Sequence, residues 1–224
     1  MRPARLLLIV LIVLLAGCSP AAPTAAPASL TVQYTASAAS WLPSLVACAG
    51  SMTIHTEQRL GEDLDPGTDL AMRIGQPVDL TSPAYRIGTE DVLVILNPQN
   101  PAHQLSAEQV RGLFSGEIQT WKDITGSDSP VEIWSYPHGE DVEQVFEEAV
   151  LSGSPITSTA RLANSPEEMA RAVAKDINAV GILTRHWKTG DVLEVYMAVS
   201  APVLVITPSL PKGASSALLA CLQK

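Results

Sequence analysis

Short apolar segments alternate with amphipathic helical segments along most of this 224-residue chain. Strands alternate apolar and polar side chains or are apolar throughout, whereas amphipathic helices repeat apolar residues every three to four positions. Strand patterns lie at residues 30–36, 51–57, 91–97, 131–135, 179–184 and 201–208, with a strand-to-helix junction at 69–75. This alternation predicts an α/β fold with mostly parallel sheets, and no internal repeat interrupts it.

Capping residues mark three of the predicted helix starts. They are Ser40 before residues 41–49, Ser106 with Gln109 before a helix through residue 114, and Ser165 with Glu168 after a second short loop. The two Ser–x–x–Gln/Glu patterns are capping boxes, in which side chain and backbone satisfy each other's hydrogen bonds. A last helix is predicted over residues 214–223.

The first 29 residues predict a lipoprotein signal peptide, 1–17, followed by a tether, 18–29. Arg2 and Arg5 precede a ten-residue apolar stretch, which is too short to span the ~30 Å hydrocarbon core of a bilayer as a helix. The Leu-Ala-Gly-Cys sequence that ends at Cys18 resembles the bacterial lipobox, which implies cleavage before Cys18 and lipid attachment to it. The alternative is an ordinary export signal with an incidental cysteine. The tether is rich in proline and alanine, which favours an extended chain.

Cleavage at this point would place the protein outside a bacterial cytoplasmic membrane, on the cell surface or in the periplasm. About 195 residues would then fold, enough for one domain or two small lobes. The chain has 14 basic and 23 acidic residues, and cleavage removes two arginines and no acids, which leaves a net charge of −11. Such an acidic protein is a poor candidate for binding nucleic acid, or anionic lipid through a basic patch.

Sequence patterns typical of catalysis are missing from the chain. It has no Gly-x-Ser-x-Gly elbow, no phosphate-binding glycine loop and no two-histidine zinc spacing. His138, Glu140 and Asp141 could hold a metal ion if they folded inward. The simpler interpretation is that they are solvated residues at a helix start, where acids gain a little from the helix dipole. We therefore expect no enzyme, no cofactor and no metal.

The helix start in question lies within residues 136–148, YPHGEDVEQVFEE, directly after the strand 131–135. Gly139 lets the backbone turn, and Glu140 and Asp141 fall in the first helical turn. The free N–H groups and partial positive charge of a helix start normally favour an anion. Here two carboxylates of the chain itself stand at that position.

The middle of the chain resembles one family closely. Residues 104–124, QLSAEQVRGLFSGEIQTWKDI, are similar to the helix-and-turn segment of the phosphate-binding (PstS-like) lipoproteins that serve ABC importers. The matching positions are Leu105, Ser106, Leu113, Phe114, Gly116, Ile118, Trp121 and Asp123. Residues 85–150 match well and the rest of 30–224 match loosely. The chain is thus identified as a PstS-like substrate-binding protein of the type II periplasmic-binding-protein superfamily.

The resemblance implies a two-lobed fold. Lobe one would comprise residues 30–90 and 191–224, lobe two would comprise 97–185, and two crossing strands would form the hinge. A small solute would sit in the cleft, at the carboxyl ends of strands. Closure of the lobes would report its presence to the permease and ATPase subunits of an ABC transporter. The resemblance further implies a monomer that contacts the membrane through the lipid on Cys18.

The family's phosphate-holding side chains do not recur in this chain. In the family, the strand-to-helix turn reads Arg-x-x-Gly-Ser-Gly-Thr, and these residues hold the phosphate oxygens. This chain keeps Gly139, but has Tyr136 at the arginine and Glu140, Asp141 and Val142 at Ser-Gly-Thr. A carboxylate ~4 Å from a phosphate costs on the order of several kcal/mol at intermediate dielectric. The expected ligand is therefore not free phosphate.

Ser37 and Ser40 of the first ligand loop, and Arg73, complete the set of cleft candidates. Arg73 and Arg86 could face an acidic or zwitterionic ligand, or the two acids of the turn could receive a cationic group. Alternatively, both arginines lie on the surface and pair with acids. Three functions fit: a solute-binding lipoprotein whose ligand is not phosphate, a non-transport sensor or protein-binding lipoprotein, and phosphate binding through backbone N–H groups.

Cys48 and Cys221 are the two cysteines of the chain besides Cys18. The chain path implied by the resemblance places both in lobe one, and export would place them in an oxidising compartment. A disulfide between them is one outcome, and two unpaired buried thiols are the other.

Overall fold

A computed structural model describes residues 28–77 and 81–224. The predictions of a signal peptide, of lipidation at Cys18 and of a tether up to residue 27 concern residues outside these ranges. In the described part, no helix is long and apolar enough to cross a membrane.

The described residues form eight strands and six α-helices. The strands are β1 Ser29–Tyr34, β2 Thr53–Gln58, β3 Leu70–Ile74, β4 Ala84–Leu96, β5 Glu132–Ser135, β6 Arg161–Leu162, β7 Ala179–Thr184 and β8 Leu193–Ile206. The helices are α1 Leu42–Ala49, α2 Ala107–Ser115, α3 Lys122–Thr125, α4 Asp141–Leu151, α5 Pro166–Lys175 and α6 Ala214–Leu222. Short 3-10 turns lie at Ser37–Trp41, Gly61–Asp63 and Arg185–Trp187.

All eight strands belong to one sheet, in the order β2-β1-β3-β8-β4-β7-β5-β6. The outer pairs β1–β2, β1–β3, β5–β6 and β5–β7 are parallel. The inner pairs β3–β8, β4–β8 and β4–β7 are antiparallel. The expectation of mostly parallel sheets therefore holds for the outer strands only, because the two longest strands run in opposite directions through the centre.

Strands β4 and β8 join the two halves of the molecule. Their pairing runs from Ala84 opposite Ile206 to Leu96 opposite Leu193, with three register shifts. The end of β8 also pairs with β3, and the second half of β4 pairs with β7. We call β1–β3 with α1 and α6 lobe one, and β5–β7 with α2–α5 lobe two. The predicted residue limits of the lobes stay a prediction, since β4 and β8 run through both.

The first capping box is confirmed. The Ser106 hydroxyl accepts a hydrogen bond from the Gln109 N–H at 3.2 Å, and the Gln109 side chain accepts one from the Ser106 N–H at 2.8 Å. At α5 only half of the predicted box forms. Ser165 caps the N–H of Glu168, but the Glu168 carboxylate accepts from the N–H of Asn164 instead of Ser165.

The prediction that Ser40 caps α1 is wrong. The 3-10 turn before α1 already holds helical dihedrals up to Trp41, the residue at the N-cap position. A capping side chain needs an extended backbone at that position. The Ser40 hydroxyl instead donates to the carbonyl of Ser37 at 3.3 Å.

Residues that carry the family resemblance lie in the core of lobe two. Phe114 of α2 packs on Phe146 of α4 with ring centroids 4.6 Å apart. Trp121 is buried, and its indole N–H donates to the carbonyl of Asn178 at 3.1 Å. Gly116 ends α2 with φ of +83°, a conformation that glycine adopts at little cost. This motif therefore maintains packing and does not contact the cleft.

Helices α1 and α6 pack together on one face of lobe one and are joined covalently. Cys48 and Cys221 form a disulfide with a Cα–Cα distance of 5.7 Å. Leu45 of α1 and Leu218 and Leu222 of α6 are buried. The first helix of the described chain is thereby tied to the last.

Candidate functional site

Strand ends from both lobes meet at one place, which we call the cleft site. Lobe one supplies Thr35 and Ser37, directly after β1, and Arg73 and Ile74 at the end of β3. Lobe two supplies the turn 136–141 between β5 and α4. Open α/β sheets bind ligands at the carboxyl ends of their strands, so this is where a ligand is expected.

Asp141, the first residue of α4, bridges the two lobes with its carboxylate. The side chain is fully buried. Its Oδ2 accepts a hydrogen bond of 2.6 Å from the Thr35 hydroxyl and one of 2.7 Å from the N–H of Ile74. Its Oδ1 has no hydrogen-bond partner among the described residues. Burial raises the pKa of this carboxyl, and the Ile74 N–H, the Thr35 hydroxyl and the charge of Arg73 oppose the rise.

Arg73 is buried beside Asp141, with 3% of its surface exposed. Its Nη2 donates to Oε1 of Gln144 at 3.0 Å, and Nη1 donates to the carbonyl of Gly61 at 3.5 Å. Its Nε has no partner in the part of the chain that the structure describes. Burial lowers the pKa of the guanidinium, and the charges of Asp141 and Glu140 oppose this. The interpretation of Arg73 as a surface residue is therefore wrong.

Glu140 and Tyr136 are buried next to Asp141 as well. Glu140 is 4% exposed, and neither its Oε2 nor the Tyr136 hydroxyl has a hydrogen-bond partner of normal geometry among the described residues. Burial, reinforced by the charge of Asp141, raises the pKa of Glu140 to about 7. Burial and the two carboxylates raise the pKa of Tyr136 well above its ordinary value. The interpretation of Glu140 and Asp141 as solvated residues is wrong, because lobe one covers the turn.

Gly139 allows this close approach of the lobes. Its φ of +92° suits glycine, and a Cβ atom here would lie 2.3 Å from the Glu62 carboxyl carbon. Its carbonyl accepts from the Glu62 N–H at 3.0 Å, and its N–H donates to Glu143 at 3.1 Å.

The His138 side chain is exposed and lies 3.5 Å from Glu143. Within the described ranges, no group of His, Cys, Asp or Glu side chains could hold a metal ion.

The structure brings most of the predicted cleft residues together: Ser37, Arg73, Tyr136, Gly139, Glu140 and Asp141. Ser40 lies one turn away, and Arg86 is exposed and donates to the carbonyl of Gly88. Three cleft residues were missed in the sequence: Thr35, Gln144 and Trp187, whose indole N–H donates to Ser37 at 3.0 Å.

Only one of the missed residues had a local signal. Thr35 opens the TASAAS loop after β1, so its position could have identified it. Gln144 and Trp187 reach partners 71 and 150 residues away in the chain. No short-range pattern predicts contacts of that kind.

A cavity of about 470 Å³ lies beside the cleft site and shares Arg73 and Gln144 with it. Arg73 and Gln144 line it together with Gly61, Glu62, Leu64, Asp65, Pro66, Ala71, Pro77, Thr81, Ser82 and Ile206. It therefore combines a buried guanidinium, two acids and an apolar wall.

Comparison with known proteins gives a family. The model of the PBP superfamily domain matches residues 83–216, more than half of the chain. The phosphate-binding protein PstS of Bacillus subtilis (strain 168) is 20% identical over 107 residues, which is 48% of this chain and 35% of that protein. The chain thus aligns with about a third of this relative's length.

Solved structures share the fold at low identity. A Clostridium perfringens protein assigned as a phosphate ABC transporter substrate-binding protein, with bound phosphate, has a TM-score of 0.74 and 17% identity, over 86% of this chain and 92% of its own. The CcmR regulatory domain of Synechocystis PCC6803, in complex with 2-PG, has a TM-score of 0.65 and 12% identity, over 88% and 96%. The chain therefore belongs to the PBP superfamily, as a PstS-like protein with the two-lobed type II fold.

Proposed function

We propose that this protein is the solute-binding component of a PstS-like ABC transporter, held outside a bacterial membrane by lipid on Cys18, and that its cleft does not take up free phosphate. The family and the fold support a solute-binding role, and the sequence Leu-Ala-Gly-Cys that ends at Cys18 supports the lipid anchor. The observation that carries the second part is the pair of buried carboxylates, Glu140 and Asp141, at the place where the lobes meet.

Phosphate would find most donors of this site already occupied and, with Asp141 and Glu140 in place, an unfavourable charge. The Thr35 hydroxyl and the Ile74 N–H both already donate to Asp141. The guanidinium of Arg73 donates to Gln144 and to a backbone carbonyl. Two like charges 4 Å apart repel by about 4 kcal/mol at an effective dielectric constant of 20, and the site holds two carboxylates against one arginine.

Isothermal titration of the purified protein with sodium phosphate at pH 7.5 is expected to show no binding tighter than about 1 mM, because the carboxylates repel the anion. The PstS of Bacillus subtilis, titrated in the same buffer, serves as the positive control. Micromolar affinity would contradict this part of the proposal and support phosphate binding through backbone N–H groups instead.

Small zwitterions are the solute class that fits the cavity beside Arg73. The guanidinium can bind a carboxylate, and Glu62 and Asp65 in the same wall can bind an ammonium group. A thermal-shift screen of amino acids, polyamines and inorganic anions tests this. A zwitterion at 100 times its dissociation constant should add about 2.7 kcal/mol to the stability. Arg73→Gln should abolish that gain, whereas the exposed Arg86→Gln should not. A rise in melting temperature with anions or polyamines but not with amino acids would contradict the assignment of small zwitterions as the solute class.

A second candidate function is a sensor or protein-binding lipoprotein with the same fold. It is favoured by the cleft site itself, which is filled by the protein's own side chains: Asp141 takes the donors of Thr35 and Ile74. The CcmR domain, whose fold this chain shares, is a regulatory domain. A screen in which no compound raises the melting temperature, together with no permease or ATPase gene beside the protein's own gene, would favour this candidate.

A further inference from the structure

We propose that the Asp141 carboxylate is a built-in ligand: it occupies an anion site between the lobes and holds them closed without any solute. The proposal goes beyond the proposed function, since it concerns a group of the chain itself and does not depend on the identity of a solute or on transport.

The donors that hold this carboxylate come from the opposite lobe. The Thr35 hydroxyl follows β1, and the Ile74 N–H ends β3, while Asp141 begins α4 of lobe two. Both hydrogen bonds end on the same oxygen, at 2.6 and 2.7 Å. Hydrogen bonds to a charged acceptor are shorter and about twice as strong as neutral ones. The carboxylate therefore links the two lobes in the same way as a free anion bound between them would.

The Thr35 hydroxyl is oriented for this task. Its oxygen accepts a hydrogen bond from the N–H of Ala38 at 3.3 Å, which leaves its proton for Asp141. All three of these residues are buried, so water does not compete for the donors. The site thus has a fixed hydroxyl donor and a fixed backbone donor before any anion arrives.

Arg73 and the dipole of α4 favour an anion in the place of the Asp141 carboxylate, against the charge of the neighbouring Glu140. The guanidinium of Arg73 is buried close by, and α4, which is eleven residues long, directs the positive end of its dipole at the site. Nε of Arg73 and Oδ1 of Asp141 are both buried, and neither has a hydrogen-bond partner among residues 28–77 and 81–224. The side chain of aspartate is an acetate group attached to a Cα atom, so this site is built for a small carboxylate.

Removal of the tethered acetate should create a site for the free one. Asp141→Gly deletes the CH₂COO⁻ group and leaves Thr35, Ile74 and Arg73 in place. We expect this variant to melt at a lower temperature than the wild type in sodium chloride. Sodium acetate at the same ionic strength should restore at least half of the lost melting temperature, in a concentration-dependent way. Acetamide, which has the same shape but no charge, should restore none, and the wild type should respond to neither.

Thr35→Val tests whether the hydroxyl is part of the site, since valine keeps the shape of threonine and loses the donor. In the double variant with Asp141→Gly, the acetate concentration that gives half of the effect should rise at least fivefold. If Asp141→Gly does not fold in chloride, refolding yield in acetate against chloride gives the same comparison. Asp141→Asn, which keeps the side-chain shape, provides a further folded variant for scattering.

Small-angle X-ray scattering measures the radius of gyration, which increases when the lobes move apart. We expect a larger radius of gyration for Asp141→Gly and Asp141→Asn than for the wild type, and acetate should reduce it for the glycine variant only. An equal response of Asp141→Gly to acetate and chloride, or a glycine variant as stable and compact as the wild type, would overturn the proposal. The phosphate titration uses the wild type, so the two proposals fail independently.

Discussion

Reduction of the Cys48–Cys221 disulfide is expected to cause the largest loss of stability in this protein. The bond joins residues 173 positions apart. In the chain-entropy model a 100-residue loop contributes about 4.7 kcal/mol, and a longer loop contributes somewhat more, because the crosslink restricts the unfolded chain. We take this as an upper figure, since real crosslinks often deliver less. Loss of several kcal/mol is a large part of the 5–15 kcal/mol typical of a whole domain.

Urea unfolding with and without reductant measures this effect. The midpoint of the wild type should fall on reduction, and the double variant Cys48→Ser, Cys221→Ser should match the reduced protein and ignore the reductant. An unchanged midpoint on complete reduction would show that the packing of α1 on α6 alone holds these helices together.

The stability of the protein is expected to rise as the pH falls from 8 to 5. The folded pKa of Glu140 is about 7, against an ordinary value of 4.5, and that of Glu143 is about 7 as well. Between these values the folded chain binds more protons than the unfolded chain, so the free energy of unfolding falls as the pH rises through this window. For Glu140 alone, this pKa shift changes the free energy of unfolding by at most about 3 kcal/mol, since each pKa unit corresponds to about 1.4 kcal/mol. If ion pairs instead lowered the pKa of these acids, the stability would rise with pH, and that result would contradict the prediction.

Glu140→Gln isolates this contribution. The variant should be more stable than the wild type at pH 8 and similar to it at pH 5, because it has no charge to desolvate. Glu148→Gln, an exposed site on the same helix, is the matched control and should leave the pH profile unchanged. Thermal unfolding at half-unit pH steps provides the measurement. A Glu140→Gln profile parallel to that of the wild type would show that Glu140 is not the group responsible.

Local patterns in the sequence determined the elements of the fold and their order. The capping box at Ser106, the strand 179–184 and the last helix were readable because short-range hydrogen bonds and side-chain periodicity define them. The family motif was readable for a similar reason, since Phe114 and Trp121 pack within one lobe. The family resemblance also aligned Tyr136, Glu140 and Asp141 with the family's phosphate-binding side chains, and that alignment stays a prediction.

The tertiary structure alone decided what those residues do. A carboxylate at a helix start is solvated or buried according to what covers it, and here the covering groups lie in lobe one, over a hundred residues away from Asp141 in the case of Thr35. Burial of Arg73, Glu140 and Asp141, and hence their pKa shifts, follows from that long-range contact. The length of β4 and β8 was likewise decided by the tertiary structure. Their polar segments are strands because the two strands pair with each other along both lobes. Chain segments far apart in sequence set the electrostatic environment of the site, and no local pattern encodes their meeting.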